Sequence, residues 1–371
     1  MHQLEFASGC TNPETFPVEA LVKAAATAIP DVGRAFVRYP GDLGHEGLRE
    51  VMARRESDRE GLDVPPECIA LTNGSMQAVT LIAEALMKGK DDVVVTEELT
   101  YSGTIGAYRR LGIELVGVPL DEHGMRVDQL QTTLQRLHDQ GTPPRFIYTL
   151  ATYQNPTGSV MPQTRRLELI EVAHQFDCIV VEDNCYGDVH FDGDKEPALY
   201  ALDDSPNQLY ICSLSKILGP GVRMGYFLAR GPLMTRILDR RYDGGNSLLA
   251  ASILAQFFRD NLWAHCAQTN AALKEKRDAV LAELERGVGD ICTWSHPAGG
   301  LFVWLTFPDS VDRRQLAEMA AARNLRYAPG CNFHVRNADI SCLRLAFGLP
   351  TLRDIRSGIP QLCECIRQLA S

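Results

Sequence analysis

Short apolar runs alternate with amphipathic stretches along the first two thirds of the chain. Apolar runs of strand length occupy residues 69–72, 93–96, 113–119, 146–150, 179–182, 209–212 and 226–229. Between them, apolar residues recur at helical spacing in 76–87, 103–111, 127–138 and 165–176. Strands that are apolar on both faces and alternate with helices are typical of a mostly parallel sheet covered by helices. The pattern predicts an α/β fold with a three-layer αβα large domain and a mostly parallel seven-stranded sheet.

The pattern changes after about residue 245. Residues 248–265 and 271–286 have the periodicity of two long helices, and 312–323 of a shorter one. Residues 301–307 alternate like a half-buried strand, and 342–347 form a second strand-like run. We therefore expect a smaller α+β domain. The expected division is 36–260 for the large domain, with 1–35 and 261–371 forming an N-terminal arm (including a helix over 18–28) and the small domain.

Composition and charge narrow the class of protein. The 371 residues are 45% hydrophobic and 23% charged, which is ordinary for a globular protein. The net charge of −10 argues against nucleic acid or an anionic membrane as the main partner. No apolar run approaches the roughly 20 residues that span a bilayer. Anionic small molecules stay possible, because a local arginine can outweigh the global field.

The cysteines and the amino terminus point to a reducing compartment. Eleven cysteines are scattered along the chain without a CxxC pair, and we interpret Cys363 and Cys365 as part of a helix face, not a metal site. The first residues lack the basic and long apolar regions of a signal peptide. We expect reduced thiols, no metal and a cytoplasmic location.

Loops that follow the predicted strands are the places to look for chemistry, because an open parallel sheet binds ligands at the carboxyl ends of its strands. Gly74, Ser75 and Met76 open a helix, where free N–H groups suit either a phosphate or a simple N-cap. Tyr101 follows the next run and either stacks on a flat ring or packs as an ordinary aromatic residue. Asn155 lies in a Pro- and Gly-containing turn that either aims its amide into the cleft or is a generic Asn-Pro turn.

A carboxylate follows the nearly apolar run 179–182. Asp183 is costly at this position unless it has a partner. A protonated ring nitrogen would be a sufficient partner, and a capping role is the alternative. Tyr186, three residues later, would place its hydroxyl near the same ring.

Lys216 is the most unusual lysine of the chain. It lies in an apolar stretch at the end of a predicted strand, where desolvation lowers an amine's pKa and makes it a usable nucleophile. Ser213, Ser215 and Arg223 surround it and suit a phosphate. The other six lysines are expected in helical or polar surface contexts: Lys23, Lys88, Lys90, Lys195, Lys274 and Lys276.

Three motifs together resemble those of the aspartate-aminotransferase-like superfamily, the fold-type I pyridoxal-phosphate (PLP) enzymes of class I/II. They are Asn155-Pro156-Thr157-Gly158, the Asp183/Tyr186 pair, and Ser213-x-Ser215-Lys216 followed by Arg223. The resemblance runs from about residue 6 to the C-terminus. It implies that Lys216 holds PLP as a Schiff base, and that Asp183 pairs with the pyridine N–H. Asn155 and Tyr186 would bind the 3-hydroxyl oxygen, Tyr101 would stack on the ring, and the implied phosphate ligands are Gly74, Ser75, Met76, Ser213, Ser215 and Arg223.

The same resemblance implies a substrate site and a dimer. Arg344 matches the family arginine that grips the substrate carboxylate, and residues 297–304 match the strand motif before it. Residues 6–10, with Gly9, are similar to the substrate-covering arm of the 2-aminoadipate and aromatic aminotransferase subgroup; Gly9 and Asn155 are further substrate candidates. Tyr39 matches a tyrosine that reaches the phosphate in the neighbouring subunit, so a homodimer is expected, and the 244–247 loop is a further candidate for contact with the partner's site.

The activity implied is transfer of an amino group between an L-amino acid and a 2-keto acid. The chain departs from the family pattern at Leu99, at Met76 and at Asn184-Cys185, where Pro, Gln and Asp-Pro are usual. Alternatives on the same scaffold are a PLP lyase, cyclase or decarboxylase. A non-catalytic effector-sensing module is less favoured, because the match starts near residue 6 with no preceding winged helix and the charge is acidic. Arg34 and Arg38 are candidates for reading a distal carboxylate.

Overall fold

The computed structural model describes residues 2–89 and 91–370. Its strands are β1 (Leu4–Glu5), β2 (Ile69–Thr72), β3 (Val93–Glu97), β4 (Glu114–Val118), β5 (Leu120–Asp121), β6 (Gly124–Met125), β7 (Phe146–Thr149), β8 (Ile179–Asp183), β9 (Gln208–Ser213), β10 (Gly225–Leu228), β11 (Thr293–Trp294), β12 (Phe302–Thr306), β13 (Leu325–Arg326), β14 (Ala328–Pro329) and β15 (Cys342–Ala346). Its α-helices are α1 (Val18–Val32), α2 (Glu46–Glu60), α3 (Ser75–Leu86), α4 (Ser102–Arg110), α5 (Val127–Asp139), α6 (Gln163–Gln175), α7 (Leu199–Leu202), α8 (Pro232–Leu238), α9 (Leu248–Val288), α10 (Arg313–Ala322) and α11 (Leu352–Ala370).

A seven-stranded sheet in the order β2-β10-β9-β8-β7-β3-β4 forms the centre of the larger unit. β10 runs antiparallel to both of its neighbours, and the other adjacent strands are parallel. Every residue of β2, β3, β7 and β9 is buried, as strands covered on both faces require. The predicted mostly parallel sheet is confirmed, with strand bounds that shift by one or two residues.

Helices cover both faces of this sheet. α3, α4 and α8 pack on one face, against side chains such as Val94 and Tyr148. α5 and α6 pack on the other, against the alternate side chains Val95 and Ile147. Successive strand residues point to opposite faces, so both faces build a core and the three-layer prediction is confirmed.

The second unit is an antiparallel sheet, β11-β12-β15-β14, packed with α10 and α11. β1, from the N-terminal segment, pairs in parallel with β13, and so attaches the arm to this smaller unit. The α+β character is as predicted, and Cys363 and Cys365 lie buried on α11. No helix among residues 2–89 and 91–370 has the length and hydropathy to cross a membrane.

The prediction of two long helices over 248–286 is wrong. A single helix, α9, runs without a break from Leu248 to Val288. The stretch between the two predicted helices contains neither Pro nor Gly, and its Cys266 and Thr269 are buried, so nothing there ends the helix. The predicted domain boundary at residue 260 falls inside α9, and the division of the chain stays a prediction.

Helix α2 was not predicted from the sequence. Its buried face combines the apolar Leu48, Val51 and Met52 with the charged Arg55 and Glu56. Arg55 and Glu56 are both buried and pair with each other at 2.7 Å. The Arg55 Nε also donates to Asp188 at 2.7 Å, and Tyr200 donates to Glu56 at 2.9 Å. Because charged residues occupy part of its buried face, the helix has a weaker amphipathic pattern than one with an apolar face alone.

Candidate active site

The carboxyl ends of the sheet strands surround a cavity of about 130 Å³. Most of the residues singled out from the sequence meet there. The lining consists of Ser75, Met76, Tyr101, Leu150, Asn155, Asp183, Cys185, Tyr186, Ser213, Ser215, Lys216, Pro220 and Arg223. Gly74 borders it, whereas Gly9, Arg344 and Tyr39 are not part of its wall. The loops that follow β2, β3, β7, β8 and β9 therefore converge, as the rule for open parallel sheets predicts.

Lys216 follows β9, and its side chain is half-buried. The Nζ atom donates a hydrogen bond to the carbonyl oxygen of Gly9 at 2.9 Å and lies 5.4 Å from the centre of the Tyr186 ring. Burial lowers the pKa of the Lys216 amine below its ordinary value. This is the environment expected from the apolar sequence context, and it gives an amine that can act as nucleophile and base.

Asp183 is the last residue of β8, and its two carboxylate oxygens differ in their hydrogen-bond partners. Oδ2 accepts a hydrogen bond of 2.6 Å from the hydroxyl of Tyr148, and Oδ1 has no partner among the described residues. Burial raises the pKa of Asp183, while the hydrogen bonds to it and the Lys216 charge act in the opposite direction. A buried carboxylate oxygen without a donor is costly, so it fits a ligand that brings an N–H.

The helix N-terminus at α3 is open to a ligand. Its N-cap is Gly74, at φ +80°, and no side chain caps the helix. A Cβ at this position would lie 2.8 Å from Nη2 of Arg223, so only glycine allows the guanidinium so near the first turn. The alternative of a simple Asn or Ser cap is not what the structure shows.

Two hydroxyls complete this end of the cavity. Ser213 Oγ donates to Ser215 Oγ at 2.9 Å, and Arg223 Nη2 donates to the Asn73 carbonyl at 2.8 Å. Free helix N–H groups, hydroxyls and a guanidinium together fit a phosphate dianion.

Arg344, on β15, enters the site from the smaller unit. Its guanidinium carbon lies 4.0 Å from the ring centre of Phe302 and 4.6 Å from that of Phe333. Nη1 donates to Asn155 Oδ1 at 2.8 Å and Nη2 to the Ala7 carbonyl at 2.6 Å. Burial lowers the pKa of Arg344 to about 10. The two rings hold the guanidinium flat, which suits two-pronged recognition of a carboxylate.

The N-terminal arm covers the site. Gly9 packs closely on Phe302: a Cβ there would lie 3.1 Å from the ring, which would have to shift slightly to admit it. Lys276 anchors the next part of the arm: Nζ donates to Asn12 Oδ1 at 2.8 Å and to the Gly348 carbonyl at 3.2 Å. Lys276 lies in a helix, as expected, but not at the surface, since it is only 2% exposed. Lys23, Lys88 and Lys195 are exposed and Lys274 is half-buried, whereas Lys90 lies outside the described residues.

Tyr39 is 87% exposed and lies apart from the cavity of its own chain. Its ring is next to Gly244, where a Cβ would approach to 2.8 Å. Arg34 and Arg38 are also exposed and do not line the cavity. A single chain therefore does not bring these three residues to the site.

A second, larger cleft has a volume of about 820 Å³ and lies between the two units. Its walls include Trp294, Trp304, His296 and residues 157–160. None of the residues predicted to act in chemistry lines it. We therefore place the chemistry in the smaller cavity. The Lys216 amine, the unpaired Asp183 oxygen and the anion-binding groups of Ser213, Ser215 and Arg223 all line it.

Comparisons with known proteins agree with this geometry. The model of the family "Aminotransferase class I and II" matches residues 2–356. The aromatic-amino-acid aminotransferase 1 of Thermococcus litoralis is 32% identical, over 98% of this chain and 88% of that protein. The crystal structure of LysN, the α-aminoadipate aminotransferase of Thermus thermophilus complexed with N-(5′-phosphopyridoxyl)-L-leucine, aligns with a TM-score of 0.92 and 28% identity, over 99% of this chain and 93% of that one.

A regulator shares the same region. YisV of Bacillus subtilis, described as an uncharacterized HTH-type transcriptional regulator, is 29% identical over 99% of this chain and 74% of its own length.

The fold and site define a fold-type I enzyme. The chain belongs to the aminotransferase class I and II family, and it is a PLP-dependent aminotransferase. The residues of the cavity fit that cofactor: the unpartnered Asp183 oxygen suits a ring N–H, the Lys216 amine suits an aldehyde, and Ser213, Ser215 and Arg223 beside the start of α3 suit a phosphate.

Proposed function

We propose that Lys216 carries out the central chemistry of this aminotransferase, binding the cofactor covalently and moving the proton at the substrate Cα. The observation that supports it most directly is that Lys216 lines one cavity together with Asp183, Ser213 and Arg223. Burial lowers the pKa of Lys216, which favours the neutral amine that a base needs. PLP, when bound, supplies the electron sink that makes a Cα proton removable.

The remaining cavity residues would hold the cofactor. Asp183 Oδ1 would accept from the ring N–H, and Tyr101 would lie against the ring. Asn155 and Tyr186 would bind the 3-hydroxyl oxygen. The phosphate would be bound by Gly74, Ser75, Met76, Ser213, Ser215 and Arg223.

Arg344 would bind the substrate carboxylate. Nη1 and Nη2 already form two hydrogen bonds, to Asn155 and Ala7, and Nε is buried without a partner among the described residues. A carboxylate that replaces the Ala7 carbonyl gains a charge-assisted contact in the same direction. This fixes the substrate so that Cα lies near Lys216, and Gly9 leaves the space that the substrate needs.

The amino donor that fits best has an aromatic or large aliphatic side chain. Around Arg344 the site presents the rings of Phe302, Phe333 and Tyr186, and the exposed Arg34 and Arg38 lie away from it. The aromatic-amino-acid relative supports the same class. A donor panel with 2-oxoglutarate tests it: we expect higher kcat/KM for phenylalanine and leucine than for aspartate and 2-aminoadipate, and a tenfold preference for the acidic donors would refute it.

A homodimer is also proposed. Val37, Tyr39 and Tyr242 are 86%, 87% and 88% exposed, and Val22 on α1 and Leu249 on α9 are exposed as well. So many large apolar side chains outside a core mark an interface, and the natural partner is a second copy. In it, Tyr39 would reach the phosphate of the partner's site. A sedimentation mass of a single chain at micromolar concentration would contradict the dimer.

One half-reaction separates the candidate activities. With an amino donor alone, the wild-type enzyme should convert its bound cofactor stoichiometrically to pyridoxamine phosphate, and Lys216→Ala should not. A lyase or decarboxylase would release its product without that accumulation. An effector-sensing role would show binding without any half-reaction. A Lys216→Ala protein that kept turnover would exclude the proposed role of the lysine.

A further inference from the structure

We propose that Tyr148 is a positioning residue, which aims one oxygen of the Asp183 carboxylate at the cofactor ring nitrogen. The inference rests on the proposed role of Asp183. Tyr148 lies on β7, the strand adjacent to β8, and its side chain is fully buried. In the sequence it looks like one more core aromatic residue of an apolar strand.

The hydrogen bonds run in one direction. A carboxylate only accepts, so the Tyr148 hydroxyl donates its proton to Asp183 Oδ2 at 2.6 Å. The Thr104 hydroxyl, 3.0 Å from the Tyr148 oxygen, is then the donor in its turn. The result is a chain from Thr104 through Tyr148 to Asp183, which polarises each bond in the same sense.

This contact distinguishes the two oxygens of Asp183. The terminal torsion of an aspartate is soft, so a carboxylate without a fixed donor rotates easily. Tyr148 holds Oδ2, which leaves Oδ1 as the oxygen without a partner among the described residues. Oδ1 is thus the atom presented to a ring N–H.

Tyr148 also favours the charged form of Asp183. Burial raises the pKa of Asp183, and the hydrogen bonds from Cys185 and from Tyr148 oppose this rise. Tyr148 keeps its own proton, because burial and the nearby carboxylate raise its pKa well above the ordinary value. An ionised Asp183 in turn favours a protonated ring nitrogen.

The neighbouring Tyr108 offers a matched control. Its ring packs edge-on against Tyr148 at 5.8 Å and is equally buried. Its hydroxyl, however, has no hydrogen-bond partner in residues 2–89 and 91–370. Tyr108→Phe therefore removes a buried hydroxyl at the same depth without touching Asp183.

The experiment compares the affinity of the apo-enzyme for pyridoxamine phosphate and for its 1-deaza analogue, whose ring has carbon in place of nitrogen. Pyridoxamine phosphate carries an amine in place of the aldehyde and makes no covalent bond to Lys216. The measured affinities are therefore independent of the role proposed for the lysine. The preference for the natural ring, a ratio of two dissociation constants, reports the Asp183 contact alone. Asp183→Asn is the benchmark and should abolish most of the preference.

We expect Tyr148→Phe to reduce this ratio about tenfold, as loss of one hydrogen bond to a charged group implies. Thr104→Val, which keeps Tyr148 in place, should reduce it about twofold to threefold, and Tyr108→Phe should leave it unchanged. Equal weakening of both ligands by Tyr148→Phe, or an equal drop of the ratio in Tyr108→Phe, would overturn the proposal. If Asp183→Asn leaves the ratio unchanged, the role assigned to Asp183 itself is wrong. If Asp183→Asn lowers the ratio but Tyr148→Phe leaves it unchanged, only the role assigned to Tyr148 is wrong.

Discussion

The arm that covers the site depends on one buried cation, and Lys276→Met tests that dependence. Lys276 reaches from α9 to Asn12 Oδ1 at 2.8 Å, to the Gly348 carbonyl at 3.2 Å and to Glu14 at 2.9 Å. Methionine has a similar length and keeps the packing, but it removes the charged donor from both buried acceptors: the Gly348 carbonyl loses its Lys276 contact, and Asn12 Oδ1 keeps only the N–H of Glu14. The arm between β1 and α1 should then detach locally.

The size of the effect follows from these contacts. Glu14 is 56% exposed on its side chain and can turn to water, so only the contacts to Asn12 and Gly348 count. Hydrogen bonds from a charged donor contribute about 1.5–3 kcal/mol each, and the relief of lysine desolvation offsets part of that. We expect the arm to lose about 2–4 kcal/mol of local stability, a factor of about 30 to 1,000 in its opening equilibrium.

Amide hydrogen exchange measures this opening directly. The N–H of Glu14 donates to Asn12 and that of Phe16 to the Pro13 carbonyl, so both should lose protection in Lys276→Met. Leu4 and Phe6 pair with the strand region near β13 and serve as internal controls that keep theirs. KM for the amino donor should rise while cofactor affinity stays the same.

Glu14→Gln is the matched variant. It alters the exposed contact of Lys276 alone, and its effect should stay below about 1 kcal/mol. Unchanged exchange at Glu14 and Phe16 in Lys276→Met would refute the reasoning, as would a uniform loss of protection along the whole chain.

Three further predictions concern the site itself. Arg344→Lys removes the fork that Phe302 and Phe333 hold flat, so kcat/KM for the donor should fall about 10- to 100-fold, and a fall below threefold would contradict carboxylate recognition there. Mixing Tyr39→Ala with Lys216→Ala protein should restore activity, because one site of the mixed dimer then has both residues intact; no restoration would mean that Tyr39 does not act across the interface. Burial lowers the folded-state pKa of Lys216, so the unfolded chain binds more protons just below pH 10.5 and stability there rises with pH. As the pH rises through this window, the thermal midpoint of wild-type apo-enzyme should increase relative to that of Lys216→Met. A difference between the two midpoints that does not change with pH would contradict the lowered pKa of Lys216.

The residues that the sequence could identify are those whose local context is unusual. Asp183 and Lys216 are charges at the ends of apolar strands, and such positions need a partner wherever the rest of the chain lies. The strands themselves were predictable because burial on both faces leaves long apolar runs. The three-layer fold follows from their alternation with helices.

What the sequence could not show depends on contacts between distant segments. Lys276 has the helical spacing of a surface residue, and it is buried only because the arm, more than 250 residues away, folds over it. Arg55 and Glu56 of α2 pair with each other and with groups on other strands and loops, so charged residues share the buried face of their helix with Leu48, Val51 and Met52. Tyr148 differs from its apolar neighbours by one hydroxyl, whose importance is visible only once β7 lies next to β8. Tyr39 needs a second chain.

The two cations of the site bind the chain's own backbone. The Ala7 carbonyl accepts from Arg344 and the Gly9 carbonyl from Lys216, so neither donor is left facing an apolar wall. A substrate therefore has to replace the contacts that the Ala7 and Gly9 carbonyls make. Its binding free energy is the difference between the contacts it gains and the contacts the arm loses. At Arg344, only an anionic group forms stronger hydrogen bonds with the guanidinium than the neutral carbonyl does. An amine that lacks a carboxylate gains nothing by displacing the arm, so the enzyme should discriminate between amino acids and simple amines before any bond is broken.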